Sequence, residues 1–131
     1  MKYMLLMSYR VDGVAPLNTW PEEDVAAYVE FQIALNKRLT YTGELVDVGA
    51  LEASELARIV TFDGRGASAV TDGPFPESKE FLAGYRIVDV VSAERALEIA
   101  ATASAAPGPG GVPLNHEIEV RTMVSVCSDE P

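Results

Sequence analysis

The sequence contains one cysteine, Cys127, and one histidine, His116, and this scarcity excludes several kinds of site. A single cysteine cannot close an internal disulfide, and such low usage fits a reducing compartment. Zinc and iron centres need several His or Cys ligands, so neither metal is expected. No spacing of carboxylates typical of a magnesium or calcium site is present, and neither is a phosphate-binding glycine loop. We therefore expect a protein without a metal ion or other cofactor.

Basic residues are also few. Ten Lys and Arg residues stand against 20 Asp and Glu residues, which gives a formal net charge of −10. Nucleic acids and anionic membranes are bound largely through clustered cations. Neither is therefore an expected partner.

Long hydrophobic runs are missing as well, and no segment of the 131 residues approaches the length of a membrane span. The apolar opening Met1–Met7 stops at Ser8-Tyr9-Arg10 without a small-residue cleavage site, so a signal peptide is not expected. These features favour a cytoplasmic protein. Since no linker or repeat divides the chain, residues 1–131 are predicted to form one domain.

Hydrophobic periodicity and turn residues predict six strands and two helices. The first helix is expected to begin at a capping box, Thr19-Trp20-Pro21-Glu22, and to end near Thr42, before Gly43. Ser92 is expected to cap the second helix, and Asp63-Gly64 predicts a hairpin turn. The predicted strands are Lys2–Tyr9, Leu45–Leu51, Ala57–Phe62, Ala67–Thr71, Leu82–Val91 and His116–Val126, and the second helix covers Ala93–Ala103.

The order of these elements predicts an α+β fold, a ferredoxin-like split βαβ pattern with an extra hairpin. Both helices are expected to cover one face of an antiparallel sheet, which leaves the other face needing cover. The apolar residues of the first helix also span a wide arc, formed by Val25, Tyr28, Val29, Phe31, Ile33, Leu35 and Leu39. Both features predict a homodimer in which a second copy supplies the missing contacts.

The most distinctive motif is the turn Thr71–Glu80, in which Asp72 directly precedes Gly73-Pro74. Gly permits unusual backbone angles and Pro fixes its own φ, so the carboxylate of Asp72 is held in one place. A carboxylate at a partly buried corner suits a general base with a raised pKa. It also suits a structural turn in which Asp72 accepts backbone N–H groups, and both interpretations stay open.

The motif Asp72-Gly73-Pro74-Phe75, followed by Lys79-Glu80 and Gly84-Tyr85, resembles the DGPF-domain family, which is related to the YCII-like proteins. The opening Lys2–Leu6 and the closing Ile118–Arg121 resemble the same family. The resemblance implies a dimeric α+β barrel, in which two ferredoxin-like halves pack sheet to sheet. Relatives of this architecture include isomerases, small monooxygenases, a dehydrochlorinase and ligand-sensing domains, so the resemblance implies no single activity.

The sequence departs from the YCII-like proteins in one respect. Those proteins resemble one another in a His near the start of the first helix and an Asp near the end of the second, proposed as an acid–base pair. Here the first helix begins with Thr19–Asp24 and has no His, and the second ends with Ala100–Ser104 and has no Asp. The resemblance therefore does not carry that mechanism to this chain.

Other side chains are candidates for contacts with a ligand. Arg121 on the last strand can hold a carboxylate through two parallel hydrogen bonds, or it can form a structural pair with Glu119. His116, the one imidazole, is a further candidate, although a solvent-facing position at a strand end is the simpler interpretation. Three aromatic residues either line a ligand pocket or belong to the core: Tyr9, Trp20 and Tyr85.

Two functions follow from these observations. The first is a small-molecule-binding or regulatory accessory protein without catalytic turnover, favoured by the missing His–Asp pair and by the lack of a metal or nucleophile set. The alternative is a cofactor-free lyase or isomerase, with Asp72 as general base and Arg121 as substrate anchor. The Pro- and Gly-rich segment Ala105–Asn115 is expected to be irregular, either as a lid over a cleft or as an arm across the dimer.

Overall fold

A computed structural model describes residues 1–10, 15–73 and 80–125 of the chain. Residues 74–79 of the turn motif, Val126 and Cys127 lie outside these ranges. The described residues form six strands and two helices, joined by loops and short 3-10 turns. The elements are β1 (Lys2–Arg10), α1 (Glu22–Tyr41), β2 (Leu45–Ala50), β3 (Arg58–Thr61), β4 (Ala69–Asp72), β5 (Glu80–Asp89), α2 (Ala93–Ser104) and β6 (Ile118–Thr122).

The main sheet has four antiparallel strands in the order β2-β5-β1-β6, so β1 and β5 are central. This is the strand order of a ferredoxin-like split βαβ fold, and it confirms the predicted α+β architecture. The extra hairpin forms a separate sheet in which β3 and β4 pair with Arg58 opposite Asp72. In its turn, Asp63 Oδ1 accepts the backbone N–H of Arg65 at 2.9 Å. Within the described residues the main sheet does not close into a barrel.

Both helices pack on the same face of the main sheet, as predicted. One cluster of buried side chains joins β1, β5, α1 and α2, and it contains Tyr3, Leu5, Leu35, Leu39, Val88, Val90, Ala96, Ile99, Ala100 and Ala103. The small alanine side chains of α2 allow its backbone to lie close to the sheet. Neither helix of the described chain is both long enough and apolar enough to cross a membrane.

The other face of the main sheet has no helix packed on it, and we call it the open face. Strand pairing places Met4 opposite Ile87 and Leu6 opposite Tyr85, and side chains alternate along each strand. Because Leu5 points into the core, these four side chains point away from the helices. The open face consists of Met4, Leu6, Asp47, Tyr85, Ile87, Glu119 and Arg121.

The predicted capping box of α1 is wrong. The N-cap residue is Pro21, and no side chain caps the helix there. Thr19 belongs to the preceding 3-10 turn, where its Oγ1 donates to the carbonyl of Pro16 at 2.6 Å. The helix therefore begins without a side-chain cap, and the acidic residues of its first turn, Glu22, Glu23 and Asp24, complement the positive end of its dipole.

The C-terminus of α1 is formed as predicted, with Gly43 directly after the C-cap residue Thr42. Gly43 has a φ of +78°, in the left-handed region that favours glycine. Its N–H donates to the carbonyl of Thr40 at 3.0 Å, and the N–H of Glu44 donates to that of Leu39 at 2.9 Å. These two bonds form a Schellman motif, which satisfies the last carbonyls of the helix.

An ion pair joins the turn after α1 to the start of α2. Arg95 Nε and Nη2 donate to Glu44 Oε2 and Oε1, both at 2.9 Å. The hydrogen bonds from Arg95 hold the pKa of Glu44 below its usual value. Ser92 caps α2 as predicted, because its Oγ accepts the N–H of Arg95 at 3.2 Å.

The segment 105–115 is irregular and lies against its own chain. Pro107 and Pro113 form an isolated antiparallel bridge, and the residue before it, Ala106, is buried. The N–H of Gly110 donates to Asp24 Oδ2 in the first turn of α1 at 3.1 Å. The described contacts of this segment therefore attach it to α1.

The left-handed conformation of Gly43 gives a testable prediction. Gly43→Ala should lower the free energy of unfolding by about 1 kcal/mol, because a Cβ is disfavoured at positive φ. Gly66→Ala is the matched control, since Gly66 has no positive φ and a Cβ there would meet no neighbour. Urea unfolding followed by circular dichroism measures both variants, and equal effects would contradict the Schellman assignment.

Candidate functional site

The candidate site is built around Arg86, a charged residue that lies inside the protein. Arg86 is 5% exposed, and no other charged residue of the described chain is buried. It follows Gly84 and precedes Val88 on the helix-facing side of the central strand β5. Its guanidinium therefore lies beneath α1, in a position where the fold otherwise places apolar side chains.

Two amide side chains of α1 hold the guanidinium in place. Arg86 Nε donates to Asn36 Oδ1 at 2.8 Å, and Nη2 donates to Gln32 Oε1 at 2.6 Å. Because an arginine is donor-only, each amide must present its oxygen to Arg86, and this fixes the orientation of both amides. No carboxylate of the described chain lies within ion-pair distance of Arg86.

The amide of Gln32 is left with an unpartnered nitrogen. Its Nε2 is buried and makes no hydrogen bond to any described residue. Rotating the amide would not solve the problem, because Nε2 would then face the donors of Arg86. A buried polar atom without a partner typically destabilises a protein by about 1–3 kcal/mol, so such atoms are rare and need an explanation.

Tyr28 completes the group, which we call the Arg86 cluster: Arg86, Gln32, Asn36 and Tyr28. Among the described residues, the phenol donates to the thioether of Met7 at 3.6 Å, and a thioether is a weak acceptor. Burial raises the pKa of Tyr28 above its usual value, and the charge of Arg86 opposes this shift. The phenol is therefore protonated at neutral pH and remains a hydrogen-bond donor. Its ring makes an edge-on contact with Trp20, at 5.8 Å between centroids.

The sequence produces this cluster through two simple periodicities. Tyr28, Gln32 and Asn36 are spaced four residues apart, so they lie in a row along one side of α1. All three are half-buried, which places the row at the border of the helix–sheet contact. Arg86 meets this row because side chains of β5 alternate between the two faces of the sheet.

The buried charge of Arg86 is electrostatically unfavourable with the partners that the described chain provides. Burial lowers the pKa of Arg86 from its usual value, with Tyr28 opposing the shift, yet the guanidinium stays charged at neutral pH. A buried charge usually has a partner of opposite charge, because removing it from water is costly. Here its described partners are two neutral amides, which compensate only part of that cost.

Sequence reasoning did not identify the cluster. The two polar residues Gln32 and Asn36 stand within the apolar arc of the first helix, between Tyr28, Leu35 and Leu39. Paired amides four residues apart on a core-facing stripe were the available signal. The apolar run of the strand that contains Arg86 does not reveal which of its side chains face inward.

Asp72, the predicted general base, lies at the end of β4 in the small sheet. Its side chain is exposed, and Arg58 lies opposite it in the strand pairing. The next residue, Gly73, donates its N–H to the carbonyl of Ala57 at 2.7 Å. The remainder of the turn motif, from Pro74, lies outside the described residues.

Arg121 and Tyr85 both belong to the open face. The Nε of Arg121 lies 3.8 Å from Glu119 Oε2, and both side chains are largely exposed. Tyr85 donates to Asp47 Oδ2 at 3.1 Å, and its ring lies directly over Gly49. The sheet thus separates these two candidates from the helix-facing Arg86 cluster, and Asp72 belongs to a different sheet again.

The other predicted ligand contacts are dispersed. Trp20 is half-buried beside Tyr28, and its Nε1 donates to the carbonyl of Ala15 at 2.9 Å. Tyr9 forms a hydrogen bond with Ser54 and packs near Phe81, at 5.7 Å between ring centroids. His116 precedes β6 and is tied to Ser104 of α2 through its backbone groups. Of these residues, only Trp20 contacts the Arg86 cluster.

Two open grooves lie on the helix side of the molecule. The larger, about 580 Å³, separates the end of α1 from α2 and is lined by residues such as Arg38, Tyr41 and Arg95. The smaller, about 440 Å³, runs along α1 and is lined by residues that include Ile33 and Asn36. The smaller groove therefore reaches the edge of the Arg86 cluster. No set of three or more possible metal ligands occurs among the described residues.

Comparison with known proteins identifies a family that this chain resembles. The family model described as the YCII-related domain matches residues 1–111. An uncharacterized protein of Rhizobium meliloti (strain 1021) is 29% identical over 83 residues, which span 63% of this chain and 66% of that protein. The family match includes α1 and β5, which carry the Arg86 cluster, and neither comparison indicates an activity.

The contacts of Arg86 give a testable prediction. Arg86→Lys keeps the charge but cannot donate to Asn36 and Gln32 in the same geometry, so it should lower the free energy of unfolding by about 2 kcal/mol. Arg121→Lys on the open face is the matched control and should have almost no effect, because that side chain is exposed. Denaturant unfolding measures both, and a neutral Arg86→Lys would show that the amide contacts are absent.

Proposed function

The chain belongs to the YCII-related family, and we propose that it is a small-molecule-binding protein that holds its ligand at the Arg86 cluster without catalytic turnover. The observation that carries the proposal is the incomplete hydrogen bonding of the cluster. Within the described chain Arg86 is buried with neutral partners, and Gln32 Nε2 has no hydrogen-bond partner. A ligand that satisfies these donors would remove an energetic penalty from the folded protein.

The position of the cluster supports a binding role. Gln32, Asn36 and Tyr28 are half-buried, so the cluster is not sealed from the surface beside α1. The donors are held by α1 and by the central strand β5 rather than by loops. Rigid elements position such groups before the ligand arrives, which lowers the entropy lost on binding.

The chemistry of the cluster supports binding rather than catalysis. A general base needs a group that accepts a proton near neutral pH, and the cluster contains an arginine, two amides and a phenol with a raised pKa. The alternative enzyme, with Asp72 as base and Arg121 as anchor, is not favoured by the geometry. Asp72 lies in the small sheet and Arg121 on the open face of the main sheet, and both are exposed.

We also propose that the protein acts as a homodimer. The open face carries the apolar side chains Met4, Leu6 and Ile87 at its centre, with Glu119 and Arg121 towards the β6 edge. An apolar centre with a polar rim is the usual anatomy of a protein interface. A second copy packed on this face would form the dimeric α+β barrel that the sequence predicts, and a lone cysteine fits a cytoplasmic location.

Thermal unfolding in the presence of small molecules tests the binding proposal. A fixed set of neutral, cationic and anionic metabolite-sized compounds is added to the full chain. At least one should raise the unfolding midpoint, since a ligand at one hundred times its Kd stabilises by about 2.7 kcal/mol. Arg86→Lys should remove this stabilisation, whereas Asp72→Asn should retain it.

The same mixtures distinguish binding from turnover. Proton NMR of the bound compound, recorded over a day with catalytic amounts of protein, should show an unchanged spectrum. A compound that is consumed by the wild type and spared by Asp72→Asn would contradict the proposal in favour of the enzyme. Stabilisation that persists in Arg86→Lys would place the ligand outside the cluster.

Sedimentation velocity tests the dimer. The wild type should sediment as a dimer at micromolar concentration, and Ile87→Lys should shift it to the monomer by placing a charge in the interface. Val60→Lys is the matched control, because Val60 is an exposed apolar residue of the small sheet. A monomeric wild type, or a dimer unaffected by Ile87→Lys, would contradict the proposed interface.

A further inference from the structure

We infer that the ligand of the Arg86 cluster is a small monocarboxylic acid, bound through its carboxylate. The inference rests on the proposed function, since it names the chemical class held at the same cluster.

Most of the hydrogen-bonding capacity that remains in the cluster is that of donors. Asn36 Oδ1 and Gln32 Oε1 each already accept one hydrogen bond from Arg86. The guanidinium has five N–H groups and donates two of them to described residues, which leaves both hydrogens of Nη1 and one of Nη2 without a partner among those residues. Gln32 Nε2 and the Tyr28 hydroxyl add further donors. A ligand that fits this set must present acceptors.

The shape of the remaining donors favours a carboxylate. With Nε bonded to Asn36 and one Nη2 hydrogen bonded to Gln32, the remaining hydrogens lie on the edge of the guanidinium formed by Nη1 and Nη2. This edge presents parallel N–H groups that match the two oxygens of a carboxylate. The Tyr28 hydroxyl can exchange its weak bond to Met7 for a stronger bond to a charged oxygen.

The charge of the cluster favours a monoanion over a dianion. Arg86 is its single charge, so one carboxylate makes the buried group neutral. A phosphate dianion would leave a net negative charge in the interior of a chain whose formal charge is already −10. A neutral ligand would leave the guanidinium without a counterion.

The surroundings of the cluster indicate the remainder of the acid. Tyr28 lies between Met7 on β1 and the edge-on ring of Trp20. These side chains offer apolar and aromatic contacts next to the donors. An acid with an aliphatic or aromatic body fits both parts of the site.

Isothermal titration with matched acids and amides tests the inference. The probes are acetate, hexanoate and benzoate, each paired with acetamide, hexanamide or benzamide, and inorganic phosphate, all added to the full wild-type chain at neutral pH. At least one carboxylate should bind, and it should bind at least tenfold more tightly than its amide and than phosphate. The amide keeps the shape of the acid and removes its charge.

Variants locate the bound acid. Arg86→Lys should weaken the carboxylate at least tenfold, and Tyr28→Phe, which removes only the hydroxyl, should weaken it about fivefold. Tyr85→Phe is the matched control and should not change the affinity, because Tyr85 faces the opposite side of the sheet. If Arg86→Lys does not fold, the comparison of Tyr28→Phe with Tyr85→Phe decides the question alone.

The outcomes separate this inference from the proposed function. The carboxylate inference would be overturned if an amide bound as tightly as its acid or if phosphate bound more tightly. It would also be overturned if the only compounds that bound in an Arg86-dependent way were not carboxylates. In each case the proposal of a binding protein would stand. A carboxylate that binds equally to Tyr28→Phe and Arg86→Lys would overturn its placement at the cluster. Failure of every compound in both sets to bind would overturn the proposed function as well.

Discussion

The buried charge of Arg86 is the constraint around which the helix-facing half of the molecule is arranged. The guanidinium is buried beneath α1, and Gln32 and Asn36 of that helix supply its acceptors. These contacts fix the register of α1 along β5, while Leu35 and Leu39 bury the same side of the helix in the core. Packing and polar contacts therefore favour the same position of α1. In that position Gln32 Nε2 has no hydrogen-bond partner among the described residues.

The two faces of the main sheet consequently have different roles. The helix face holds the core and the Arg86 cluster, and α2 closes it with small residues such as Ala96 and Ala100. Among the described residues the open face has no cluster of this kind, because its charged residues Asp47, Glu119 and Arg121 are all exposed. A ligand on one face and a second copy on the other would not compete for surface. This division is compatible with a dimer in which each chain carries its own site.

The fold was predictable from the sequence because its signals are local. Asp63-Gly64, Gly43 and Ser92 each encode a turn or helix end in a few residues, and the structure confirms them. The capping box at Thr19 failed because a 3-10 turn ends there and Pro21 takes the N-cap position. The cluster was not predictable in the same way. In a nearly continuous apolar strand, the sequence does not show which alternate side chains face the helices. The pairing of β5 with β1 and β2 shows that Arg86 faces inward.

A crystal structure of the purified protein, analysed for the atoms around Arg86 Nη1, tests the central claim most directly. The central proposal is that a ligand supplies the counterion of the buried guanidinium. The account predicts the amides of Gln32 and Asn36 on one side of Arg86 and a bound carboxylate or ordered water on the other. A carboxylate of the protein bonded to Nη1, whether from residues 11–14, from residues 74–79 or from a second copy, would contradict it and make Arg86 a structural ion pair.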